Sequence, residues 1–188
     1  MNSKATTRIK QLCSLGFESQ ILVPVLLPAL RKAIPSYSST FLWTTNDYRF
    51  VNFYDECSDT LNYLHLYHSE YLDKYDHEAR PSLSEWLRNK SGVCTSEKFY
   101  YPHYIRTDFY NDILRPLRYH HELIVGIKHE QRPVGILFLH REAKQPNFSK
   151  AEVEYMQQLL PFITHGLSRE TNYTDAHFSV QSRHHPQP

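Results

Sequence analysis

Twelve histidines, three cysteines and fourteen tyrosines are the side chains through which this sequence could do chemistry. Histidine binds zinc or moves protons. His65 and His68 stand three apart, which puts both rings on one side of a helix, and His120-His121 and His184-His185 are adjacent pairs. A structural zinc site needs four convergent N, S or O ligands at characteristic spacing. Neither Cys-x-x-Cys nor His-Glu-x-x-His occurs, and adjacent histidines in a strand point to opposite faces. The histidines read as scattered surface or half-buried residues, and no metal site is expected.

Cys13, Cys57 and Cys94 are odd in number and widely spaced, as reduced thiols in a cytosol would be. A reactive thiolate needs a helix N-terminus or a cationic neighbour. Cys57 precedes an expected helix start, and Cys94 lies near Lys90 and Lys98. A thiol-based redox activity is therefore the enzyme alternative, but no local motif supports it and no catalytic residue is assigned. Tyr63, Tyr67, Tyr71 and Tyr75 recur every four residues. They form the outer stripe of an amphipathic helix lying over a sheet, or one wall of a ligand cavity.

The elements that must position these residues follow from periodicity. Thr6 or Thr7 caps a first helix bearing Ile9, Leu12 and Cys13, which Gly16 ends. A second helix is expected from Glu18 to Ala33, with Leu22, Val25, Leu26, Leu30 and Ala33 at helical spacing and a bend at Pro28. Strands at Tyr37–Thr44 and Tyr48–Tyr54 flank the turn residues Thr45-Asn46-Asp47. A helix begins at Ser58 or Asp59 and reaches Tyr75, a shorter one spans Pro81–Leu87, and Val93–Arg106 contains an extended segment. Asp108–Leu117 reads as a short helix. A hairpin with arms His121–Lys128 and Val134–Arg141 follows, joined across His129–Pro133. Ser149-Lys150-Ala151-Glu152 is a capping box opening the last helix, whose Val153, Met156, Leu160, Ile163 and Leu167 make a narrow seam.

The two hairpins suggest a pocket. Phe41 and Trp43 share a face, and Tyr48, Phe50, Asn52 and Tyr54 share one on the return strand. These rows are expected to look across at Val125, Ile127, Ile136 and Phe138, with Asn52 and His140 as isolated polar members. A mostly apolar cavity with a few polar anchors suits a small molecule. The expected ligand contacts are Trp43, Phe50, Tyr54, Tyr110, Val125 and Phe138; the ligand or cofactor itself is unknown.

Composition narrows the classes. The chain has 188 residues, a net charge of +1 and only five glycines, with no Gly-x-Gly-x-x-Gly or Walker-type run. That removes the usual phosphate-cradling loops and any overall field toward nucleic acid. The apolar stretch Ile21–Leu30 carries Pro24 and Pro28 and is shorter than the roughly 20 residues a membrane helix needs. A soluble cytoplasmic protein is expected, with one domain over residues 1–170 and a polar, disordered tail over 171–188.

Tyr104-Ile105-Arg106-Thr107-Asp108-Phe109-Tyr110-Asn111-Asp112-Ile113-Leu114-Arg115-Pro116-Leu117 resembles a segment of the GAF-like N-terminal sensor domain of LuxR-type transcriptional regulators. Arg132-Pro133-Val134-Gly135, Phe148-Ser149 with Glu152, and Leu159-Leu160-Pro161 continue it. Thr107 stands where Ser is usual and Arg118 where Gly is common. The resemblance implies an α/β (α+β) fold of GAF/PAS type: a central antiparallel sheet flanked by helices, its N- and C-terminal helices packed together. It implies a sensor that binds a small effector or a protein partner and controls transcription. DNA would be reached only through a helix-turn-helix domain that this sequence does not include. A dimerisation module without ligand is the blander alternative. A homodimer is expected through the Val153–Leu167 seam and Ile9, Leu12, Leu22 and Leu26.

Overall fold

The structure is a computed structural model that describes residues 3–56, 63 and 79–168. Cys57, His65, His68, Tyr67, Tyr71, Tyr75, His184, His185 and the 171–188 tail fall outside those residues. So does most of the Asp59–Tyr75 helix, of which Tyr63 alone is described, as helical.

Strands β1 (Ser38–Thr44), β2 (Phe50–Asp55), β3 (Gly92–Thr95), β4 (His121–His129) and β5 (Arg132–Arg141) form one antiparallel sheet in the order β2-β1-β5-β4-β3. Helices α1 (Ser3–Ser14), α2 (Ser19–Ala33) and α5 (Lys150–Leu167) cover one face, here called proximal. The distal face is covered by α3 (Leu83–Asn89), the short α4 (Ser96–Phe99), a 3-10 turn at Tyr104–Arg106 and a π-helical turn at Tyr110–Leu114. This is the expected α/β class, with helices on both faces of the sheet.

The proximal core is apolar and close-packed. Ile9, Val23, Leu26, Leu27, Leu30, Phe41, Leu123, Ile127, Leu137, Leu139, Met156 and Ile163 are all fully buried. Gly166 lets α5 touch α1, because a Cβ there would stand 2.9 Å from the Cα of Cys13. Ser149 and Glu152 form the expected capping box. Gly16 ends α1 with a φ of 79°, the left-handed conformation that favours glycine.

Several expectations are corrected. Val25 faces solvent, while Val23 and Leu27 enter the core, because the buried stripe of α2 runs through Ser19, Leu22, Val23, Leu26, Leu27 and Leu30. Met156, Ile163 and Leu167 bury against their own sheet together with Ile9, Leu12, Leu22 and Leu26, and Val153 and Leu160 are half-buried against the same core. The long hairpin closes through Glu130 and Gln131 alone, with φ of 49° and 67°. Two successive left-handed residues match the twist of the flanking strands, and Glu-Gln lacks the glycine or asparagine that usually announces such a turn. Val93–Arg106 is extended only through Thr95.

One register shift matters most. Trp43 pairs with Asn52 and Thr44 with Phe50, so Val51 is the extra residue of a β-bulge. The bulge moves Phe50 to the distal face, away from Asn52 and Tyr54.

Candidate functional site

A polar row crosses the distal face at the end of the sheet where β4 begins and β5 finishes. The three central strands and the edge strand β2 contribute one residue each by strict alternation: Glu122 on β4, His140 on β5, Thr40 on β1 and Asp55 on β2. Glu122 and His140 are directly paired across the strands, as are Thr40 and Asp55. Glu122 and His140 are only 2% and 3% exposed, so their polarity must be met inside the protein.

Hydrogen bonds meet most of it. The Tyr100 hydroxyl donates to Glu122 Oε2 at 2.6 Å, and Ser96 Oγ accepts the Glu122 backbone N–H at 3.3 Å. His140 Nδ1 lies 3.0 Å from Glu122 Oε1 but without hydrogen-bond geometry, so that contact is electrostatic. His140 Nε2 shares a 2.8 Å hydrogen bond with the Thr40 hydroxyl, which also donates to Asp55. The Tyr119 hydroxyl donates to both Asp55 carboxylate oxygens at 3.0 and 3.1 Å. Its ring stacks on His140 with centroids 3.7 Å apart and planes 5° from parallel.

Aromatic side chains surround this row. Phe138 lies parallel to His140 at 5.9 Å, and Tyr100 stacks on Tyr104 at 4.6 Å. Tyr104 meets Tyr110 edge-on, and the Tyr110 hydroxyl shares a 2.5 Å hydrogen bond with His120 Nδ1. Burial pushes the phenols of both Tyr104 and Tyr110 upward in pKa, the former helped by Glu122 and Tyr110, so both stay neutral donors. Tyr110 is presented by the π turn, where the Arg115 N–H reaches back five residues to the Tyr110 carbonyl. Thr107 starts that turn by accepting the Tyr110 N–H on its hydroxyl. π turns are rare and are frequent at functional sites. Arg118, at the position where glycine is common, has a φ of 65°; it is held over the Tyr37 ring and by an ion pair to Glu142.

The six residues expected to contact a ligand divide between the faces. Phe50, Tyr110 and Phe138 come together in the distal cluster, which Tyr63 also joins. Trp43 and Val125 lie in the proximal core, and Tyr54 packs against it. The bulge at Val51 accounts for Phe50 and Tyr54 parting. Val125 and Phe138 part because β4 residues of odd number and β5 residues of even number face opposite ways. Trp43 is committed elsewhere, its indole N–H donating to Ser19 Oγ at 2.9 Å. Asn52 also acts locally, its side-chain oxygen accepting the Phe53 N–H on an edge strand.

The sequence singles out His140 by its place in an apolar row, but not Glu122, Thr40, Asp55, Tyr100 or Tyr119. In the sequence Glu122 and Lys128 alternate with Leu123, Val125 and Ile127, the pattern of a half-buried strand with a polar outer side. The signal against that reading is the unbroken run Leu123-Ile124-Val125, the mark of a strand buried on both sides.

No protein-family model matches the sequence, and no curated protein matches it. Solved structures do. The VqsR LBD domain from Pseudomonas aeruginosa is 12% identical over 88% of this chain and 93% of that one, with a TM-score of 0.58. The phycoerythrobilin-bound GAF domain of a cyanobacterial phytochrome is 16% identical over 88% and 96%, with a TM-score of 0.54. A GAF domain/HD domain protein from Geobacter sulfurreducens is 17% identical over 81% and 93%, with a TM-score of 0.52. The fold is that of GAF domains.

Within this GAF fold the described thiols are placed for packing. Burial pushes Cys13 up to about 11 and Cys94 up to about 12, the latter helped by Glu122 and opposed only weakly by Lys98 and Lys90. Thiols shifted upward are poor nucleophiles at neutral pH. Among the described residues no group of three or more His, Cys, Asp or Glu could hold a metal ion. Nor is any described helix long and apolar enough to cross a membrane.

Proposed function

We propose that this chain is a sensor domain that binds a small effector on the distal face of its sheet and controls a transcriptional output. The observation that carries the reading is the Glu122–His140–Thr40–Asp55 row, its first three members buried, beside Phe138, Tyr100 and Tyr119 in the distal cluster that also holds Phe50 and Tyr110. Apolar walls with a few convergent polar groups are what fix and orient a small ligand. The phycoerythrobilin-bound GAF domain supports a ligand on this fold. The transcriptional part rests on the LuxR-type resemblance over Tyr104–Leu117, with DNA reached through a separate domain.

A thermal-shift screen of small aromatic and heterocyclic compounds tests the reading, since a ligand that binds only the folded state raises Tm. Compounds that stabilise the wild type should lose their shift in Phe138→Asn and keep it in Leu12→Asn. Equal loss in both variants, tracking stability alone, contradicts a distal site. A homodimer belongs to the same reading, now through the exposed Ile21, Val25 and Phe162 on the proximal helices and Leu15 and Phe17 in the loop between α1 and α2. Light scattering of Ile21→Glu should then give half the wild-type mass; a wild-type monomer at all concentrations removes the dimer.

A further inference from the structure

The strand ends that carry the distal polar row also carry a second polar row on the proximal face, one residue along each strand. Beside Asp55 stands Glu56, beside Thr40 stands Ser39, and beside His140 stands Arg141. Alternation turns each neighbour toward the proximal helices. Glu56 accepts from Arg31 of α2 at 3.0 Å and also from the Ser39 hydroxyl, while Arg31 Nε donates to the Ser36 carbonyl at 3.2 Å.

Arg141 is more deeply committed. Its Nε donates to the Pro35 carbonyl at 2.8 Å, and its Nη1 donates to the carbonyls of Pro146 and Asn147 at 3.1 and 3.2 Å. Its Nη2 donates to Glu152 Oε1 at 2.5 Å, and its guanidinium lies 4.1 Å from the Phe148 ring centroid. Glu152 is the capping-box residue of α5 and takes the Ser149 N–H at 2.8 Å on its other oxygen. One buried arginine therefore joins the loop after α2, the loop before α5 and the first turn of α5 to the end of β5.

We infer that the two rows form a relay, in which the state of the His140–Glu122 pair on the distal face sets the hold of Arg141 and Glu56 on the first turn of α5 and the last turn of α2. The residues on either side of one peptide cannot move independently: turning the backbone at His140 turns Arg141 as well. A group that enters the distal row and draws His140 or Asp55 toward it changes the angle at which the guanidinium meets Glu152. A ligand shifts such a pair of states only by its differential affinity for them. The relay deepens the sensor reading and rests on it for its biological use, but its coupling is a property of the unliganded chain.

The test therefore needs no effector. Amide hydrogen exchange is compared between the wild type and His140→Gln, with Ile124→Val as a destabilised distal control outside the polar row. The relay predicts exchange about tenfold faster at Lys150–Tyr155 and Arg31–Ile34 in His140→Gln, beyond any uniform change, because local openings differ among elements of one fold. The control should show only a uniform change. Coupling is reciprocal, so Glu152→Gln should shift the His140 imidazole resonances in NMR spectra. Exchange that rises uniformly in His140→Gln, together with His140 resonances unmoved in Glu152→Gln, overturns the relay. That result would leave the thermal-shift test of the distal site unaffected.

Discussion

The two faces of one sheet are built by opposite rules. The proximal face joins α1, α2 and α5 mainly through fully buried aliphatic side chains, with polar contacts where the Trp43 indole finds Ser19 and, at the strand ends, where Arg31 meets Glu56 and Arg141 meets Glu152. The distal face buries a carboxylate, an imidazole and several hydroxyls, each tied to the next, among aromatic rings. A dry aliphatic core gives stability through area and packing. A buried polar row gives less net stability and fixes geometry, since every member is costly when unpartnered. The proximal face supplies most of the packing, and the distal face carries the polar geometry on which the proposed site rests.

The comparison breaks most visibly if the proximal core is opened. Phe41 is fully buried and meets Trp43 edge-on at 4.9 Å. Phe41→Ala should cost about 3–5 kcal/mol in urea unfolding, the range for emptying a buried aromatic site. A loss well under that range would mean that the proximal layer is not the main source of stability. Glu122→Gln probes the other face. It keeps the shape but weakens the acceptor of the Tyr100 hydroxyl and removes the carboxylate beside His140 Nδ1, at a cost of about 1–3 kcal/mol. A neutral or stabilising result would mean that the row has slack.

The smallest effect is a pH dependence. Glu152 is held below the usual carboxylate range because the hydrogen bonds from Arg141 and Ser149 outweigh the burial that pushes it up. A depressed carboxylate contributes stability above its unfolded pKa of about 4.3 and loses it as pH falls through the lower folded value. Wild-type stability should therefore decline in that acid window, and Glu152→Gln should be about 1–2 kcal/mol less stable at pH 7. The variant should decline less on acidification; an identical acid limb would remove Glu152 from the account.

Much of the scaffold was legible in the sequence because local chemistry dictates it. Ser149 and Glu152 announce a helix start, Gly16 a helix end, and the alternation in β4 and β5 a hairpin. The site was legible only by halves. Phe50, Tyr110 and Phe138 share the distal face, but a one-residue bulge at Val51 sent Tyr54 the other way, and no residue type marks that bulge. A slip of one residue exchanges the faces of everything beyond it. Glu122 was hidden for a different reason: an alternating acid looks solvent-facing until a second layer covers it. Tyr100 follows the short helix α4 and Tyr119 precedes β4, both outside regular elements, where periodicity says nothing about direction.

The most direct measurement is NMR chemical-shift mapping with the compounds that raise Tm in the thermal-shift screen. The account predicts shifts centred on Phe138, His140, Tyr119 and Tyr110, with Phe41, Trp43 and Val125 unmoved. Shifts centred on the proximal core or the outer surface of α1 and α2, with the distal row silent, would contradict it.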